Sequence, residues 1–338
     1  MILPESLEEV HDHAFDGCYE LVISRFNGSY IGKNAFASCQ VRSIRLTENL
    51  SYIGFGAFMN CEINSMYIPS TDFEMESGVF NYANIKAFSV SSDNPYYTVK
   101  DGVLYSKDMT TLVAYPSYKE AETFTLPESV KTISDYAFSS CWQLNKIVLN
   151  NTLEKIGDYA FLNCKSLKNI ELPIGITSVD QGMFKGCSSL TEMNLPEGVT
   201  SVGASAFEGC SSLEEITMPI GITSIGGKAF YNCSKLKEIA IPSKVTVLND
   251  STFYGCKKLQ SISLPSGLTS IATKAFYNCN SLNDITIPSG VKSIGASAFS
   301  GCQSISAIEI PAGVATIANS TFNNCRSLKR VILPSGLT

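Results

Sequence analysis

Apolar and polar residues alternate over short stretches along most of the chain, and a proline follows most of these stretches. The segment Met193–Leu195, which Pro196 follows, is representative. A period of two predicts a β-strand with one buried face. Proline has no N–H to donate to a sheet, so it ends the strand. A second apolar pair, Val179 with Phe184, predicts a return arm that leads the chain back to the next strand.

Cysteine and phenylalanine mark a repeat along the chain. The last nine cysteines are spaced by 23 residues every time, and a phenylalanine stands three residues before each of them. Eight equal intervals do not arise by chance. The predicted structural ladder consists of Cys141, Cys164, Cys187, Cys210, Cys233, Cys256, Cys279, Cys302 and Cys325, with Phe138, Phe161, Phe184, Phe207, Phe230, Phe253, Phe276, Phe299 and Phe322.

A period of 20–29 residues with a Leu-x-x-Ile-x-Leu strand is the signature of leucine-rich repeats. The sequence therefore predicts an α/β repeat fold: a curved right-handed solenoid with a parallel β-sheet and short helical turns. Glycine or asparagine precedes most of the cysteines, as at Gly186, Asn232 and Gly301. Both residues tolerate a positive φ, so we expect each Ala-Phe-x-Gly/Asn-Cys segment to be one helical turn closed by a left-handed residue.

The pattern breaks once, between Phe88 and Phe124, where the strand interval is 36 residues instead of 23. Asp101-Gly102 lies there between apolar and aromatic stretches, and Asp-Gly is a strong β-hairpin signal. We expect residues 91–123 to form a β-hairpin insert that replaces one return arm of a single solenoid domain, residues 1–338.

Neither end of the chain has the atypical repeat that caps a solenoid. The chain opens with Met1-Ile2-Leu3-Pro4, which reads as the end of a repeat, and it stops at Leu337-Thr338 inside another. We therefore expect a fragment of a longer protein, with both terminal caps missing.

The repeat LPSGLTSIATKAFYNCNSLNDITIP and the insert DNPYYTVKDGVLYSKDMTTLVAYP resemble those of the BspA-like leucine-rich-repeat proteins. The resemblance covers essentially the whole chain. Such proteins are known mostly from bacteria of mucosal surfaces and from some parasitic protists. The resemblance implies a secreted or surface-attached bacterial protein, and several members of the family are adhesins toward host or bacterial proteins. It identifies no partner.

Composition and motifs argue against catalysis, cofactors and nucleic acid. The net charge is −6, whereas nucleic-acid binding needs a basic surface. The sequence contains no Cys-x-x-Cys pair and no phosphate-binding Gly-rich loop, and its two histidines, His11 and His13, leave no base for a catalytic triad elsewhere. No apolar run is long enough to span a membrane. We therefore predict a non-enzymatic protein with no catalytic or metal-binding residues, no cofactor and no membrane insertion of this part of the chain.

The ladder cysteines could in principle form disulfides, because neighbouring Cα atoms in a ladder are about 5 Å apart. In-register side chains run parallel, however, so their Cβ atoms lie further apart than a disulfide prefers. We expect a column of free, buried thiols beside the phenylalanine ladder.

Two columns of outward residues are the candidate binding sites. On the strands, Glu192, Glu215 and Glu238 recur at one position. Such a like-charge column costs stability, which favours a function in binding a basic partner or a divalent cation. The alternative is a solvated face with Lys168 and Lys237 as neutralisers. After the phenylalanines, Tyr231, Tyr254 and Tyr277 recur, and tyrosine is enriched at interfaces. The alternative is mutual stacking that stabilises the turn, as for the shorter column Tyr136 and Tyr159.

These observations predict an extracellular or cell-surface module for adhesion or protein binding, whose signal and anchor lie outside the fragment. It would engage a host or bacterial surface or matrix protein, or a glycan, through its repeat face. The alternative is a structural spacer that projects another domain from the cell surface.

Overall fold

A computed structural model describes residues 3–337. The chain forms two compact units, the first up to Asn145 together with Thr152–Cys164, and the second made of Lys146–Asn151 and the chain from Lys165 onward. Part of the expectation about the chain ends rests on three residues that lie outside the described ones: Met1, Ile2 and Thr338. The single domain with missing caps therefore stays a prediction.

Both units are parallel-strand β-solenoids in which most turns carry a front strand, before the proline, and a return strand, before the phenylalanine. The front strands of the first unit are Arg25–Phe26, Ser43–Leu46, Ser65–Ile68, Phe88–Val90 and Thr123–Thr125. Its return strands are Glu9–Val10, Tyr30–Ile31, Tyr52–Ile53, Glu74–Met75, Thr132–Ile133 and Lys155–Ile156. It also has a further pair, Glu62–Ile63 and Asn84–Ile85, and the insert strands Tyr97–Lys100, Val103–Ser106 and Thr111–Ala114. The second unit has front strands Lys146–Val148, Glu192–Asn194, Glu215–Thr217, Glu238–Ala240, Ser261–Ser263, Ala307–Glu309 and Arg330–Ile332, and return strands Ser178–Val179, Ser201–Val202, Ser224–Ile225, Val247–Leu248, Ser270–Ile271 and Ser293–Ile294.

The front strands have the predicted alternation of buried and exposed residues. In Glu192–Asn194 the central Met193 is buried and both neighbours are exposed. The strand pairs in register with Glu215–Thr217, and the Leu195 N–H continues the ladder to the Thr217 carbonyl at 3.0 Å before Pro196 ends it. Each repeat thus adds one apolar layer to the core.

The predicted helical turn is wrong. Residues 3–337 contain no helix. In the arm that carries Phe207, the N–H groups of Ser205, Phe207 and Gly209 donate to carbonyls of the next repeat at 2.7–2.9 Å. The residues between them make only i→i−3 bonds, such as Glu208 N–H to Ser205 at 3.0 Å. An α-helix needs every amide for its own i→i−4 bonds, so an arm that bonds its neighbour with alternate amides cannot be one.

The predicted positive φ before each cysteine is confirmed, with 75° at Gly186, 58° at Asn232 and 77° at Gly301. A second residue, four positions earlier in each arm, is also left-handed, for example Ser205 at 56°. Two left-handed residues per arm turn the chain without a helix, because right-handed helical geometry excludes such residues.

The phenylalanine rings form a stack along each unit. From Phe184 to Phe322, successive ring centroids are 5.3–5.7 Å apart and the planes are within 12° of parallel. The cysteine thiols lie beside them, free of disulfides. Most are buried as expected, but Cys18 is exposed and Cys325 only half-buried, because each lies near one end of the stack.

The insert forms the predicted hairpin. Tyr97–Lys100 pairs antiparallel with Val103–Ser106 across a two-residue turn in which Asp101 and Gly102 have φ values of 52° and 79°. Two positive φ values define the type I′ turn that suits a twisted hairpin. The return arm is only partly replaced, however, because a third strand, Thr111–Ala114, pairs in parallel with the return strand Thr132–Ile133.

Candidate functional site

The front strands of the second unit carry a strip of exposed carboxylates, Glu192, Glu215 and Glu238, which we call the glutamate strip. Glu192 and Glu215 are register partners in a parallel pair of strands. Such strands lie about 4.8 Å apart, so these like charges are direct neighbours. Within residues 3–337, no lysine, arginine or histidine lies within 4.0 Å of any of the three carboxylates. The strip is therefore an uncompensated negative surface.

Of the two lysines expected to neutralise this strip, Lys168 and Lys237, the second has another partner. Lys237 donates to Glu214 at 2.6 Å, one position before the strip. The hydrogen bond and charge of this pair lower the pKa of Glu214 and raise that of Lys237. Glu215 contributes only weakly to the raised pKa of Lys237.

A shallow groove of about 430 Å³ runs over the same strands. Glu215 and Glu238 line it together with small or short polar residues such as Ala240, Ser261 and Ser263. Short side chains around two carboxylates leave room for a long basic side chain to lie along the sheet.

Tyr231, Tyr254 and Tyr277 form the tyrosine column, in which ring centroids are 4.5 and 4.7 Å apart and the planes are tilted by 11°. All three residues are half-buried. Burial, followed by the two neighbouring phenols, raises the pKa of Tyr254. The rings cover one another's faces, so the column presents ring edges and hydroxyl groups to its surroundings. It is at least partly a structural stack.

The shorter column in the first unit is also a stack. The rings of Tyr136 and Tyr159 are 5.0 Å apart. Both residues have positive φ, 56° and 54°, which is uncommon for bulky residues. Burial, and then the Tyr159 phenol, raises the pKa of Tyr136 to about 12.

One polar cluster of the first unit escaped the analysis of the sequence. The Glu76 carboxylate accepts hydrogen bonds from the Tyr52 hydroxyl at 2.6 Å and the Phe55 N–H at 2.8 Å, and Lys33 lies 3.3 Å from it. The Tyr52 hydroxyl bond is the largest contribution to the lowered pKa of Glu76. Tyr52 also stacks on Tyr30 at 4.9 Å. The 22-residue interval between these tyrosines could have revealed the stack, whereas nothing in the sequence marks Glu76.

The histidines form local pairs in the first unit, His11 with Glu9 at 3.1 Å and His13 with Asp16 at 2.9 Å, and all four side chains are well exposed. Over residues 3–337, no three His, Cys, Asp or Glu side chains are grouped to hold a metal ion. In the same range, no helix is long and apolar enough to cross a membrane.

The sequence profile of the BspA-type leucine-rich repeat region, which spans six repeat copies, matches residues 9–119, 113–237 and 223–338. The chain belongs to the BspA-type leucine-rich repeat family. A comparison with curated proteins found no match.

Several solved structures of bacterial leucine-rich repeat proteins resemble this BspA-type chain. A leucine-rich repeat protein from Eubacterium ventriosum is 25% identical, with a TM-score of 0.62 over 89% of this chain and 82% of its own. The pneumococcal vaccine antigen PcpA is 28% identical, with a TM-score of 0.63 over 80% of this chain and 67% of its own. A leucine-rich cell surface protein from Faecalibacterium prausnitzii is 27% identical, with a TM-score of 0.59 over 75% of this chain and 62% of its own. The leucine-rich repeat fold is typical of non-enzymatic modules that bind other proteins.

Proposed function

We propose that this chain is a non-enzymatic binding module of the bacterial cell surface, which engages a host or bacterial protein through the front strands of its second unit. The glutamate strip is the observation that carries this proposal. Glu192 and Glu215 face each other in register without a compensating cation, an arrangement that weakens a sheet. A partner that places lysine or arginine along the strip would relieve this repulsion.

The tyrosine column supports a protein partner more than a glycan. Aromatic platforms hold sugar rings through an open ring face, but Tyr254 has a neighbouring tyrosine within 4.7 Å on both sides. Ring edges and hydroxyl groups suit contact with a polypeptide, and tyrosine is enriched at protein interfaces. We propose the tyrosine column as a second contact surface.

The surface location rests on relatives and on the thiols. One similar solved structure is described as a cell surface protein and another as a vaccine antigen, and both are bacterial. Buried thiols are protected from oxidation outside the cell, because their raised pKa keeps them protonated.

The experiment compares two triple variants of equal charge. Glu192→Gln/Glu215→Gln/Glu238→Gln removes the glutamate strip, and Glu20→Gln/Glu120→Gln/Glu128→Gln removes three exposed glutamates of the first unit. Both variants and the parent chain are captured on a sensor and exposed to a panel of purified mucosal, matrix and bacterial surface proteins. We expect the strip variant to lose at least about tenfold in affinity for the partner that the parent binds, with the parent's affinity falling as salt rises. Equal affinity of both variants would contradict the proposal.

The alternative is a structural spacer. The regular stacks of phenylalanine and tyrosine rings favour it, because they stabilise the repeats without any partner. If the parent chain binds no protein of the panel while a longer natural chain does, the spacer is supported.

A further inference from the structure

Backbone hydrogen bonds run in one direction along the return arms of the first unit. In the arm that carries Phe36, the N–H groups of Asn34, Phe36 and Ser38 donate to carbonyls of the next arm at 2.7–3.0 Å. The arm that carries Phe138 repeats this pattern through Tyr136, Phe138 and Ser140, again at 2.7–3.0 Å. A regular arm therefore presents three N–H donors, spaced two residues apart, to the arm that follows it. The arm that carries Phe58 donates with two of them, Gly56 and Phe58, at 3.2 and 3.1 Å.

The pattern stops at the arm before the insert. Gly78, Phe80 and Tyr82 occupy the same three positions, and Gly78 and Tyr82 have the positive φ values, 73° and 58°, of the regular arms. Their N–H groups donate to no other group of residues 3–337. Three parallel donors thus point toward the place where the insert has replaced a regular turn.

Carbonyl groups are left open on the other side of this place. In regular arms the carbonyls equivalent to Asp135, Ala137 and Ser139 all accept bonds from the preceding arm. Here Ala137 accepts from the Tyr115 N–H at 2.7 Å, while the Asp135 and Ser139 carbonyls accept from no donor in the described part of the chain. The insert thus donates a hydrogen bond to the middle carbonyl, that of Ala137, and leaves the carbonyls of Asp135 and Ser139 without a donor.

A cavity of about 310 Å³ lies between these walls. Gly78 and Phe80 line one side and Asp135 and Ser139 the other. Phe80 is only half-buried, whereas the other ladder rings Phe36, Phe58, Phe138 and Phe161 are fully buried. The cavity therefore has an apolar ring surface between its rows of donors and acceptors.

Fixed side chains hold the cavity open. The Ser139 hydroxyl donates to the Asn81 side chain at 2.8 Å across 58 residues of sequence, and both residues are buried. The Tyr115 ring is buried and stacks on Phe138 at 5.2 Å, so this side chain is fixed as well.

We propose that this cavity binds a short, neutral peptide segment of two or three small residues. Donors on one wall and acceptors on the other complement a peptide backbone, which carries both groups. A carboxylate, Glu76, and an ammonium group, Lys155, both line the cavity, so a ligand without net charge fits it better than an ion of either sign. The volume is at the lower end of the range of roughly 300–1,000 Å³ for ligand sites, which excludes bulky side chains. This site lies within the first unit and is independent of the glutamate strip.

The first test uses two capped peptides, N-acetyl-triglycine methylamide and N-acetyl-trisarcosine dimethylamide. The second peptide carries N-methyl groups, so it lacks the N–H groups that the Asp135 and Ser139 carbonyls need. We expect triglycine, with a Kd of roughly 1 mM for so small a ligand, to slow the hydrogen exchange of the Gly78 and Phe80 amides at least about tenfold. Trisarcosine should leave this exchange unchanged. Fast exchange with both peptides would mean that the cavity holds water only, and equal protection by both would exclude backbone recognition; either result overturns the proposal.

The second test fills the cavity. Ala114 lines it and is buried, so Ala114→Leu places three additional carbon atoms in the space of the peptide. The exposed Ala312 of the second unit gives a matched control, Ala312→Leu. We expect Ala114→Leu to weaken triglycine binding at least about tenfold and Ala312→Leu to leave it unchanged. Unchanged binding by folded Ala114→Leu overturns the proposal, and if this variant fails to fold, the comparison of the two peptides on the parent chain decides.

Discussion

The Cys233 thiol lies 3.1 Å from the backbone carbonyl of Phe207, in the preceding repeat, and donates to it. The same carbonyl accepts the Cys210 N–H at 3.1 Å, so both of its lone pairs are used. Equivalent thiol bonds, all at 3.1 Å, recur at Cys210, Cys256, Cys279 and Cys302. Each cysteine therefore joins two repeats as a donor, in addition to filling space.

This relationship predicts an order of stability among variants of Cys233. Cys233→Ala removes the donor and leaves a small void, so it should cost about 1–2 kcal/mol. Cys233→Ser keeps a donor at this position and should cost less than alanine. Urea denaturation of both variants measures the difference. If serine is the more destabilising substitution, the thiol serves packing alone.

Alkaline pH should destabilise the fold through the same thiols. Burial raises the pKa of Cys61 to about 12, from 9.0 in an unfolded chain. Below pH 9 both states keep the proton, so the thiol costs nothing. Above pH 9 only the unfolded state loses it, and the free energy of unfolding falls by up to about 1.4 kcal/mol per pH unit for each such thiol until the folded state titrates.

The measurement is the change in the free energy of unfolding between pH 8 and pH 10 for the parent chain and for Cys61→Ala. The variant lacks one titrating thiol, so its loss should be smaller by about 1 kcal/mol. Cys18 is exposed, so Cys18→Ala serves as the control and should lose as much free energy of unfolding between pH 8 and pH 10 as the parent chain. Equal losses for the parent chain and Cys61→Ala would contradict this prediction.

Gly301 depends on its neighbour Asn278. Both are left-handed, with φ of 77° and 59°, and a Cβ atom on Gly301 would clash with the Asn278 Oδ1. Asparagine tolerates this backbone, so Gly301→Asn tests the contact and not the φ value. We expect a cost of about 1 kcal/mol, most of which the second substitution Asn278→Gly removes. Additive effects in a double-mutant cycle would show that the two positions are independent.

The positive φ of Gly301 itself predicts that valine at this position lowers the free energy of unfolding by more than asparagine does. A β-branched residue disfavours the left-handed region and would also meet Asn278, so Gly301→Val should cost at least about 1–2 kcal/mol. A thermal melt that leaves this variant as stable as Gly301→Asn would sink the explanation.

Strand parity predicts a sharp contrast between two adjacent residues. Ile262 is buried in the core, and Ser261 points outward from the same strand. Ile262→Ala should cost about 2–5 kcal/mol, because it opens a cavity in the apolar column. Ser261→Ala should cost less than about 0.5 kcal/mol. Comparable losses in denaturant melts would mean that the strand faces the other way.

The tyrosine column can be divided into stacking and hydroxyl contributions. Tyr254→Phe keeps the ring between its two neighbours, so we expect stability within about 0.5 kcal/mol of the parent chain. Tyr254→Ser removes one ring from two stacked pairs and should cost about 1–2 kcal/mol. A partner that contacts the hydroxyl would bind Tyr254→Phe less tightly although the fold is unchanged. A loss of stability in Tyr254→Phe would show that the hydroxyl is structural.

The strands and the phenylalanine and cysteine ladders could be predicted because the residues that form them recur at fixed intervals in the sequence. The alternation at Met193 fixes which side chains are buried, and the 23-residue interval fixes which phenylalanines meet. The helical turn could not be judged this way. Whether the Phe207 amide bonds its own arm or the next one depends on a neighbour 22 residues away, which a local motif does not reveal. The second left-handed position is occupied by residues such as Ser205 and Lys228, whose residue types do not predict a positive φ.

The candidate sites also differ in whether repetition in the sequence could reveal them. Repetition alone identified the glutamate strip and the tyrosine column, but not that Lys237 pairs with Glu214. The open amides of Gly78 and Phe80 result from where the insert runs in space. No residue type marks them, because an ordinary arm uses the same amides for bonds to its neighbour.

The alternate amides of the return arms also set the pace at which this chain can fold. Their partners lie 20–22 residues away, and the ratio of 22 to the 338 residues of the chain is about 0.07. So small a relative contact order is usual for helical bundles, which fold in microseconds to milliseconds, and rare for chains built of strands. A nascent chain of this kind needs only one finished turn as a template for the next, so its strands can pair in the order in which they leave the ribosome.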